Sequence, residues 1–261
     1  MLCLVKSCVA RSPRRVFGAA TMAAFVVPAL LLIASPAAHA QFGTNLIVNG
    51  DAESGSGSSD GSVVAVPGWG ASGNFTAVLY NASGGFPLTT DPGPASRGEN
   101  FFAGGPDIDA SAGTQSIDVS AIATDINAGT VSFVLSGFLG GFQDQDDNAV
   151  LTANFVGTGG TLGSASIGPV TASDRSNATG LLFRTTLGAV PVGTTSINLI
   201  LNLTRTDGAY DDGYADNLSL VLANSPISSA AAPEPGSIAL LAAGVAPLLG
   251  VALRRRRSPA A

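Results

Sequence analysis

Between residue 41 and residue 253 the chain has no cysteine, histidine, methionine or lysine. Charged residues make up only 11% of its 261 residues. So little charge excludes a coiled coil and a highly charged disordered chain. So few basic residues also argue against a nucleic-acid partner, because no basic face can be built from them.

The missing residue types also exclude several kinds of chemistry, provided that the first 40 residues are removed. Without cysteine there is no disulfide, and without thiolate or imidazole there is no zinc site of the usual kind. A nucleophile activated by histidine is excluded as well. The stretch Gly57-Ser58-Ser59-Asp60-Gly61 fits the nucleophile-elbow spacing. Because the partner base is absent, we interpret it as a Gly/Ser loop.

The charges that remain are strongly asymmetric. Residues 41 to 225 contain four arginines and 17 acidic residues, a net charge of −13. Four further basic residues lie before residue 20, and the last four are consecutive arginines close to the C-terminus. Both ends of the chain therefore differ from its middle.

The N-terminus has the organisation of a secretory signal. Arginines precede an apolar run from residue 16 to about residue 34, and the small residues Ala38 and Ala40 follow it. Small side chains at these two positions are the pattern that signal peptidase cleaves. We expect residues 1–40 to be a signal peptide that is removed after Ala40. A retained N-terminal anchor is the alternative.

The C-terminus has three features in a fixed order. After a small-residue linker at 225–232 come Pro233, Glu234 and Pro235, then 18 uncharged and mostly apolar residues at 236–253. As a helix this run would measure about 27 Å, enough for the core of a bilayer. The cluster Arg254, Arg255, Arg256 and Arg257 would stay on the cytoplasmic side and stop the membrane helix.

This tail, residues 233–257, resembles the PEP-CTERM sorting signal of Gram-negative bacteria. The resemblance implies recognition by an exosortase, a multi-pass membrane protease that cleaves near the motif. It also implies that the protein is anchored in the inner membrane before processing and then reaches the cell surface or an exopolysaccharide matrix. The alternative is a simple tail anchor.

The body, residues 41–224, reads as an all-β domain. Apolar and polar residues alternate along 131–136, 196–204 and 217–222, with Val134 and Ile200 as exceptions. Alternation with period two indicates strands with one buried and one wet face. Further strands are predicted at 45–48, 75–80, 114–119, 149–156, 165–170 and 181–187. The pattern predicts an antiparallel β-sandwich.

The body also resembles galactose-binding-like jelly rolls, the architecture of many carbohydrate-binding modules. Three stretches support the likeness: 45–53 with Pro67-Gly68-Trp69 after it, 112–119, and 214–220. The resemblance implies that the first and last strands pair and that a structural calcium lies near their ends. Matched to this chain, its ligands would be Asp51, Glu53 and Asp216. Alternatively, the two aspartates only cap turns.

Two places are candidates for contacting a sugar. Tyr210, Asp211, Asp212 and Tyr214 combine aromatic faces with hydrogen-bond acceptors, although a turn before the last strand is the simpler interpretation. Trp69 is the only tryptophan, with core packing as the alternative to stacking on a ligand. Asp144 to Asn148 begins like an EF-hand loop but has Ala149 where glycine is needed, so we interpret it as a hairpin tip.

These observations predict a non-catalytic, exported surface or matrix protein whose body binds carbohydrate or exopolysaccharide. One alternative is a self-associating structural protein of the envelope. Another is a glycoside-active enzyme, because paired carboxylates hydrolyse glycosidic bonds without histidine or cysteine.

Overall fold

A computed structural model describes residues 41–225, which form ten strands and one short helical segment. The segment consists of a single 3₁₀ turn at Ser120–Ile122 and the helix α1 at Ala123–Asn127. The strands are β1 (Gly70–Ser72), β2 (Thr76–Leu79), β3 (Asn100–Pro106), β4 (Ala110–Asp118), β5 (Val131–Gly141), β6 (Asn148–Gly157), β7 (Gly160–Ile167), β8 (Gly180–Ala189), β9 (Ser196–Thr204) and β10 (Tyr210–Asn224).

The strands form two antiparallel sheets that pack face to face. Sheet A has the order β1-β4-β9-β6-β7, and sheet B has the order β2-β3-β10-β5-β8. Without the short strands β1 and β2, each sheet keeps four strands. From β3 to β10 the chain crosses to the other sheet after every strand except between β6 and β7, which form a hairpin in sheet A. This is the strand order of a jelly roll. The predicted all-β jelly-roll sandwich is therefore confirmed.

The alternation in the sequence is what places the core between the sheets. Leu199, Leu201 and Leu203 of β9 are fully buried, as are Leu220 and Leu222 of β10. Val134 and Ile200, which interrupt the alternation, lie on outward-facing positions of their strands. Inward-facing and outward-facing positions therefore still alternate in both strands. At these two outward-facing positions the side chain is apolar where a polar one was expected.

The N-terminal end of the body differs from the prediction. Residues 45–48 do not form a strand, and only a single bridge joins Asn45 to Val221 of β10. The amide nitrogens of Gly43 and Leu46 donate to the carbonyls of Leu222 and Leu220, at 2.9 and 2.8 Å. This segment therefore covers one edge of β10, although it is too irregular to count as a strand.

Strand β3 was not predicted, because apolar and polar residues do not alternate in it and because it ends in Gly-Gly-Pro, which is unfavourable in strands. Its sequence is Asn-Phe-Phe-Ala-Gly-Gly-Pro, and all but the last residue are buried. One face of β3 packs into the core, and the other lies under the loop that follows β2. Burial on both faces removes the periodic signal on which sequence analysis depends.

Strand β10 bends twice, and both irregularities lie next to predicted site residues. Its register shifts between Asp211 and Tyr214 against β3, and between Asp216 and Ser219 against β5. Asn217, inside the second shift, has a φ of 49°. Such bulges redirect side chains that a regular strand would send to alternate faces.

Candidate functional site

The outer face of sheet B carries a second aromatic cluster, separate from the main core. Phe101 and Tyr214 project from neighbouring strands, with ring centroids 5.1 Å apart. Phe86, from the loop between β2 and β3, lies 6.3 Å from Phe101 and 5.1 Å from Tyr210. The loop can come this close because residue 61 is glycine: a Cβ there would lie 2.4 Å from the Phe86 ring.

A cleft opens at the edge of this cluster, where β10 begins. Its cavity of about 240 Å³ is lined by Phe86, Phe142 and Tyr210, by the carboxylates of Asp60 and Asp212, and by Gly84. Phe142 and Tyr210 are half-buried, so part of each ring faces the cavity. The Tyr210 hydroxyl is buried and has no hydrogen-bond partner within residues 41–225. We call this cavity the aromatic cleft.

The two carboxylates of the aromatic cleft differ in their electrostatics. Burial raises the pKa of Asp212 to about 6, and the nearby charge of Asp147 adds to the shift, although a hydrogen bond from Tyr214 opposes it. Hydrogen bonds from Ser62 and Ser58 lower the pKa of the fully exposed Asp60. The cleft therefore pairs an ionised carboxylate with one that holds a proton more readily.

Asp147 holds the wall of the aromatic cleft in place. Its Oδ1 accepts from the amides of Thr206 and Asp207 at 2.6 and 3.0 Å and from the Thr206 hydroxyl at 3.0 Å. Its Oδ2 accepts from the Asp212 amide at 2.9 Å. The side chain is completely buried. The predicted hairpin tip is thus an anchor for the turn that carries Asp212.

Arg175 supports the same region from the other side. Its guanidinium donates to the carbonyls of Gln143 and Gln145 at 2.8 and 2.9 Å, and to that of Ala178. Only 5% of the residue is exposed. Because it binds backbone carbonyls on both sides of the β5–β6 turn, Arg175 keeps the turn closed beneath Phe142.

The structure sorts the predicted sugar-contacting residues into two groups. Tyr210 and Asp212 line the aromatic cleft. Asp211 and Tyr214 are completely buried, because the bulge turns both side chains onto the sheet under the aromatic cluster. This corrects the ligand role expected for Asp211 and Tyr214, which instead support the wall of the cleft.

Trp69 also needs correction as a candidate for stacking on a sugar. It is 8% exposed, with its ring 5.4 Å from Phe102 and 6.0 Å from Phe75. Its Nε1 donates to the carbonyl of Asn49 at 3.1 Å. The ring packs in the main core between the sheets, so the packing interpretation describes it.

The predicted calcium ligands lie at one end of the sandwich, but most of their oxygens bind protein groups. Asp216 is completely buried and accepts from the Tyr80 hydroxyl at 2.7 Å and from the Asn217 amide at 2.6 Å. Burial raises the pKa of Asp216 to about 8, and the charges of Glu53 and Asp51 contribute to the shift.

Glu53 is engaged in the same way. Its Oε1 accepts from the amides of Glu99 and Asn100 at 2.9 and 2.8 Å. No cluster of three or more carboxylate, histidine or cysteine side chains with metal-binding geometry occurs within residues 41–225. A calcium site can also draw on backbone carbonyls, so calcium at Asp51, Glu53 and Asp216 stays a prediction.

The sequence analysis missed four of the residues that line the aromatic cleft: Asp60, Gly84, Phe86 and Phe142. Asp60 belongs to the Gly/Ser loop, whose Ser58 is buried and bonds to Asp60 at 3.0 Å, so this loop is ordered. Phe142 follows β5 directly, and the polar run after it, which starts at Gln143, was interpreted as a hairpin tip and not as part of a site. Neither position carries a local signal, because each reaches the cleft only through contacts distant in sequence.

Comparison with known proteins gives one match to a family model. Residues 231–257 match the PEP-CTERM protein-sorting motif. This confirms the resemblance of the tail and implies an exported protein with a C-terminal membrane-anchoring signal. It also implies an exosortase as the general kind of processing partner.

The membrane segment itself falls outside the described part of the chain. Within residues 41–225 no helix has the length and apolarity needed to cross a membrane. The predicted helix at 236–253, the sorting residues Pro233, Glu234 and Pro235, and Arg254–Arg257 all lie beyond residue 225, and the signal peptide with Ala38 and Ala40 lies before residue 41. These assignments stay predictions as far as the structure is concerned.

Two solved structures are similar to the body. One is described as "Family 16 Carbohydrate Binding Module-2": it is 16% identical, with a TM-score of 0.42, and the match covers 68% of this chain and 99% of that one. The other is the enzymatically active domain of tailspike protein 4 of bacteriophage CBA120. It is 15% identical, with a TM-score of 0.39, and the match covers 69% of this chain and 21% of that one. No curated protein matches the sequence.

Proposed function

We propose that the chain is an exported, non-catalytic carbohydrate-binding protein whose ligand occupies the aromatic cleft. The observation that carries the proposal is the composition of that cleft, in which the rings of Phe142 and Tyr210 lie beside the carboxylates of Asp60 and Asp212. An aromatic ring covers the apolar face of a sugar, and carboxylates accept hydrogen bonds from its hydroxyl groups.

The size of the aromatic cleft limits what it can hold. About 240 Å³ is slightly below the roughly 300–1,000 Å³ of typical small-molecule sites. We therefore expect it to bind one sugar unit of a longer chain, with the rest of the polysaccharide outside.

The charge of the body favours neutral over acidic polysaccharides. Residues 41–225 carry a net charge of −13, and two of the acidic side chains line the aromatic cleft itself. An anionic glycan would meet like charges there. The sorting motif supports a polysaccharide ligand in general, because a protein exported to the cell surface or matrix is exposed to polysaccharide.

The test is a glycan array with the exported protein, followed by titration calorimetry on the best ligand. Phe142→Ala and Asp212→Asn are expected to weaken binding about tenfold or more, since each removes one stacking or hydrogen-bonding group. Phe183→Ala and Asp144→Asn are the matched controls, because both residues are exposed outside the cleft. Equal losses in the cleft variants and the controls would refute the cleft as the site.

A glycoside-active enzyme is the second candidate, and one observation favours it. Asp60 and Asp212 line the same cavity and have pKa shifts of opposite direction, as an acid and a base would. Release of reducing ends from a bound polysaccharide, abolished by both Asp60→Asn and Asp212→Asn, would replace the non-catalytic proposal.

A further inference from the structure

Strand β8 is a long open edge of sheet B. The opposite edge, β2, is covered by Ser58, whose backbone bonds to Ala77 and Leu79 at 2.8 and 2.9 Å. The second half of β10, which β3 leaves unpaired, is covered by the segment 43–46. On β8 the amide of Leu181 bonds to the Pro92 carbonyl. From residue 183 to 189, β8 pairs only with β5 among the described strands.

This edge lacks the features that usually protect an edge strand. It pairs with β5 over ten consecutive residues without a bulge, and its sequence contains neither proline nor lysine. Natural sheets normally interrupt such edges, because a row of unpaired amide and carbonyl groups is a template for another strand. Arg184 is its single charge, and Asp174 neutralises it at 3.1 Å.

An exposed apolar stripe runs along the same edge. Phe183, Leu187 and Val134 are 52%, 61% and 43% exposed. Val134 lies opposite Leu187 in the register, and Phe183 lies opposite Phe138, with ring centroids 5.4 Å apart. The two apolar pairs lie on the same face, with the polar pair Ser136 and Thr185 between them. Exposed apolar side chains grouped on one face are typical of an interaction surface. We call the four apolar residues the β8 stripe.

We propose that the β8 edge is an interface with a second copy of this chain, in which two β8 strands pair antiparallel across a two-fold axis. A second copy supplies the same unpaired backbone groups and the same apolar stripe, as an isologous interface requires. Strand β7 of sheet A is also an edge strand, but its pairing with β6 has a register shift at Phe155 and Val156, whereas the β5–β8 register is regular. Pairing across a two-fold axis uses the β8 edge of both copies, so an assembly through β8 closes as a dimer.

Charge favours this mode of approach over others. The body carries a net charge of −13, so most faces of two copies repel each other. None of the β8 stripe residues is acidic, and the single arginine of the strand is already paired. The β8 edge therefore lets two acidic bodies meet without bringing carboxylates together.

The dimensions of the edge predict a weak dimer. Seven open residues span about 24 Å, and two sheets about 10 Å apart give a side roughly 20 Å deep. The side is thus about 500 Å², below the roughly 800 Å² per partner of a stable complex. Dimerisation should depend on concentration and become substantial where sorting concentrates the protein on a surface.

The test measures the oligomeric state of the exported protein by sedimentation from about 10 μM to 1 mM. We expect a monomer–dimer equilibrium in this range, weakened at least tenfold by Leu187→Lys. The matched control is Val63→Lys, because Val63 is 50% exposed and lies beside β2 at the opposite edge of the sheet. A protein that stays monomeric throughout, or equal effects of both variants, would overturn the proposal.

Disulfide trapping gives an independent readout that needs no destabilising change. Residues 41–225 contain no cysteine, so Thr185→Cys supplies a single thiol on the outward face of β8 once Cys3 and Cys8 are replaced by serine. Rapid formation of a covalent dimer is expected, whereas Val63→Cys in the same background should stay monomeric. Cross-linking at equal rates would contradict β8 pairing. Neither readout involves a glycan, so failure of this proposal leaves carbohydrate binding in the aromatic cleft unaffected.

Discussion

Replacing Asp216 by asparagine is expected to stabilise the protein at neutral and alkaline pH. Asp216 is completely buried beside the Tyr80 hydroxyl, and burial raises its pKa to about 8 from the ordinary value of 3.8. Asparagine has the shape of the protonated acid: its amide group can donate to the Tyr80 oxygen while Oδ1 still accepts from the Asn217 amide. The variant therefore removes the charge and keeps both contacts.

The sign and size of the effect follow from proton linkage. Between pH 3.8 and about 8 the folded protein keeps a proton on Asp216 that the unfolded chain has released, so the free energy of unfolding falls as the pH rises. At pH 7 this amounts to about three pH units at roughly 1.4 kcal/mol each, or about 4 kcal/mol. Asp216→Asn should recover up to that amount, equivalent to a rise in Tm of about 8–16 °C.

The assay is chemical unfolding of the wild type and Asp216→Asn at pH 5, 7 and 8.5. We expect the difference between the two proteins to be below about 2 kcal/mol at pH 5 and to grow as the pH rises towards 8. Asp211 and Asp212, with pKa values raised to about 7 and 6 mainly by burial, leave some pH dependence of the same sign in the variant. Asp144→Asn is the control, since this carboxylate is exposed, is not among the charges that shift the pKa of Asp216, and should leave the profile of the wild type unchanged.

The outcome that would refute this reasoning is a parallel loss of stability in the wild type and Asp216→Asn from pH 5 to 8.5. Asp216 would then release its proton in the folded protein as easily as in the unfolded chain. That result would indicate that a positive group, such as a bound cation, compensates the charge at this end of the sandwich.

Four further outcomes are expected. Asp147→Ala should lower the free energy of unfolding by about 3 kcal/mol or more in urea titrations, because four donors lose a buried charged acceptor; a loss under 1 kcal/mol would mean that the turn is held by other contacts. Trp69→Ala should cost about 3–5 kcal/mol, and the fluorescence of this single tryptophan should not respond to glycans, since it is a core residue. If calcium is bound, EDTA should lower the Tm of the wild type but not that of Glu53→Gln, and an unchanged wild-type Tm would rule out the calcium prediction. The intact mass of the exported protein should correspond to a chain that begins at Gln41 and ends near Pro233, and a full-length mass would contradict both predicted cleavages.

The sandwich fold was predictable because its information is local. Alternation along 196–204 and 217–222 marks strands with one buried face, and the structure places both on the core. The failures are local as well: β3, buried on both faces, has no alternation, and residues 45–48 have the composition of a strand but make only one bridge to β10. Alternation of apolar and polar residues reveals the buried face of a strand only when the other face of that strand is exposed to solvent.

The candidate site was predictable only in part, for a geometric reason. The mixture of aromatic and acidic residues at 210–214 marked the region, and two of its four named residues line the aromatic cleft. Sequence reasoning had no means of separating Tyr210 and Asp212 from Asp211 and Tyr214, because the bulge in β10 decides which side chains turn inward.

By itself, the sequence determined the all-β class and the sorting motif, because both depend on the spacing of residues along the chain. Only the tertiary structure decided that Asp60 and Phe142 join Tyr210 at one cleft, and that Trp69 belongs to the core. It also decided which edge strand stays open. These features depend on contacts between residues tens to more than a hundred positions apart, which sheet pairing and bulges bring together.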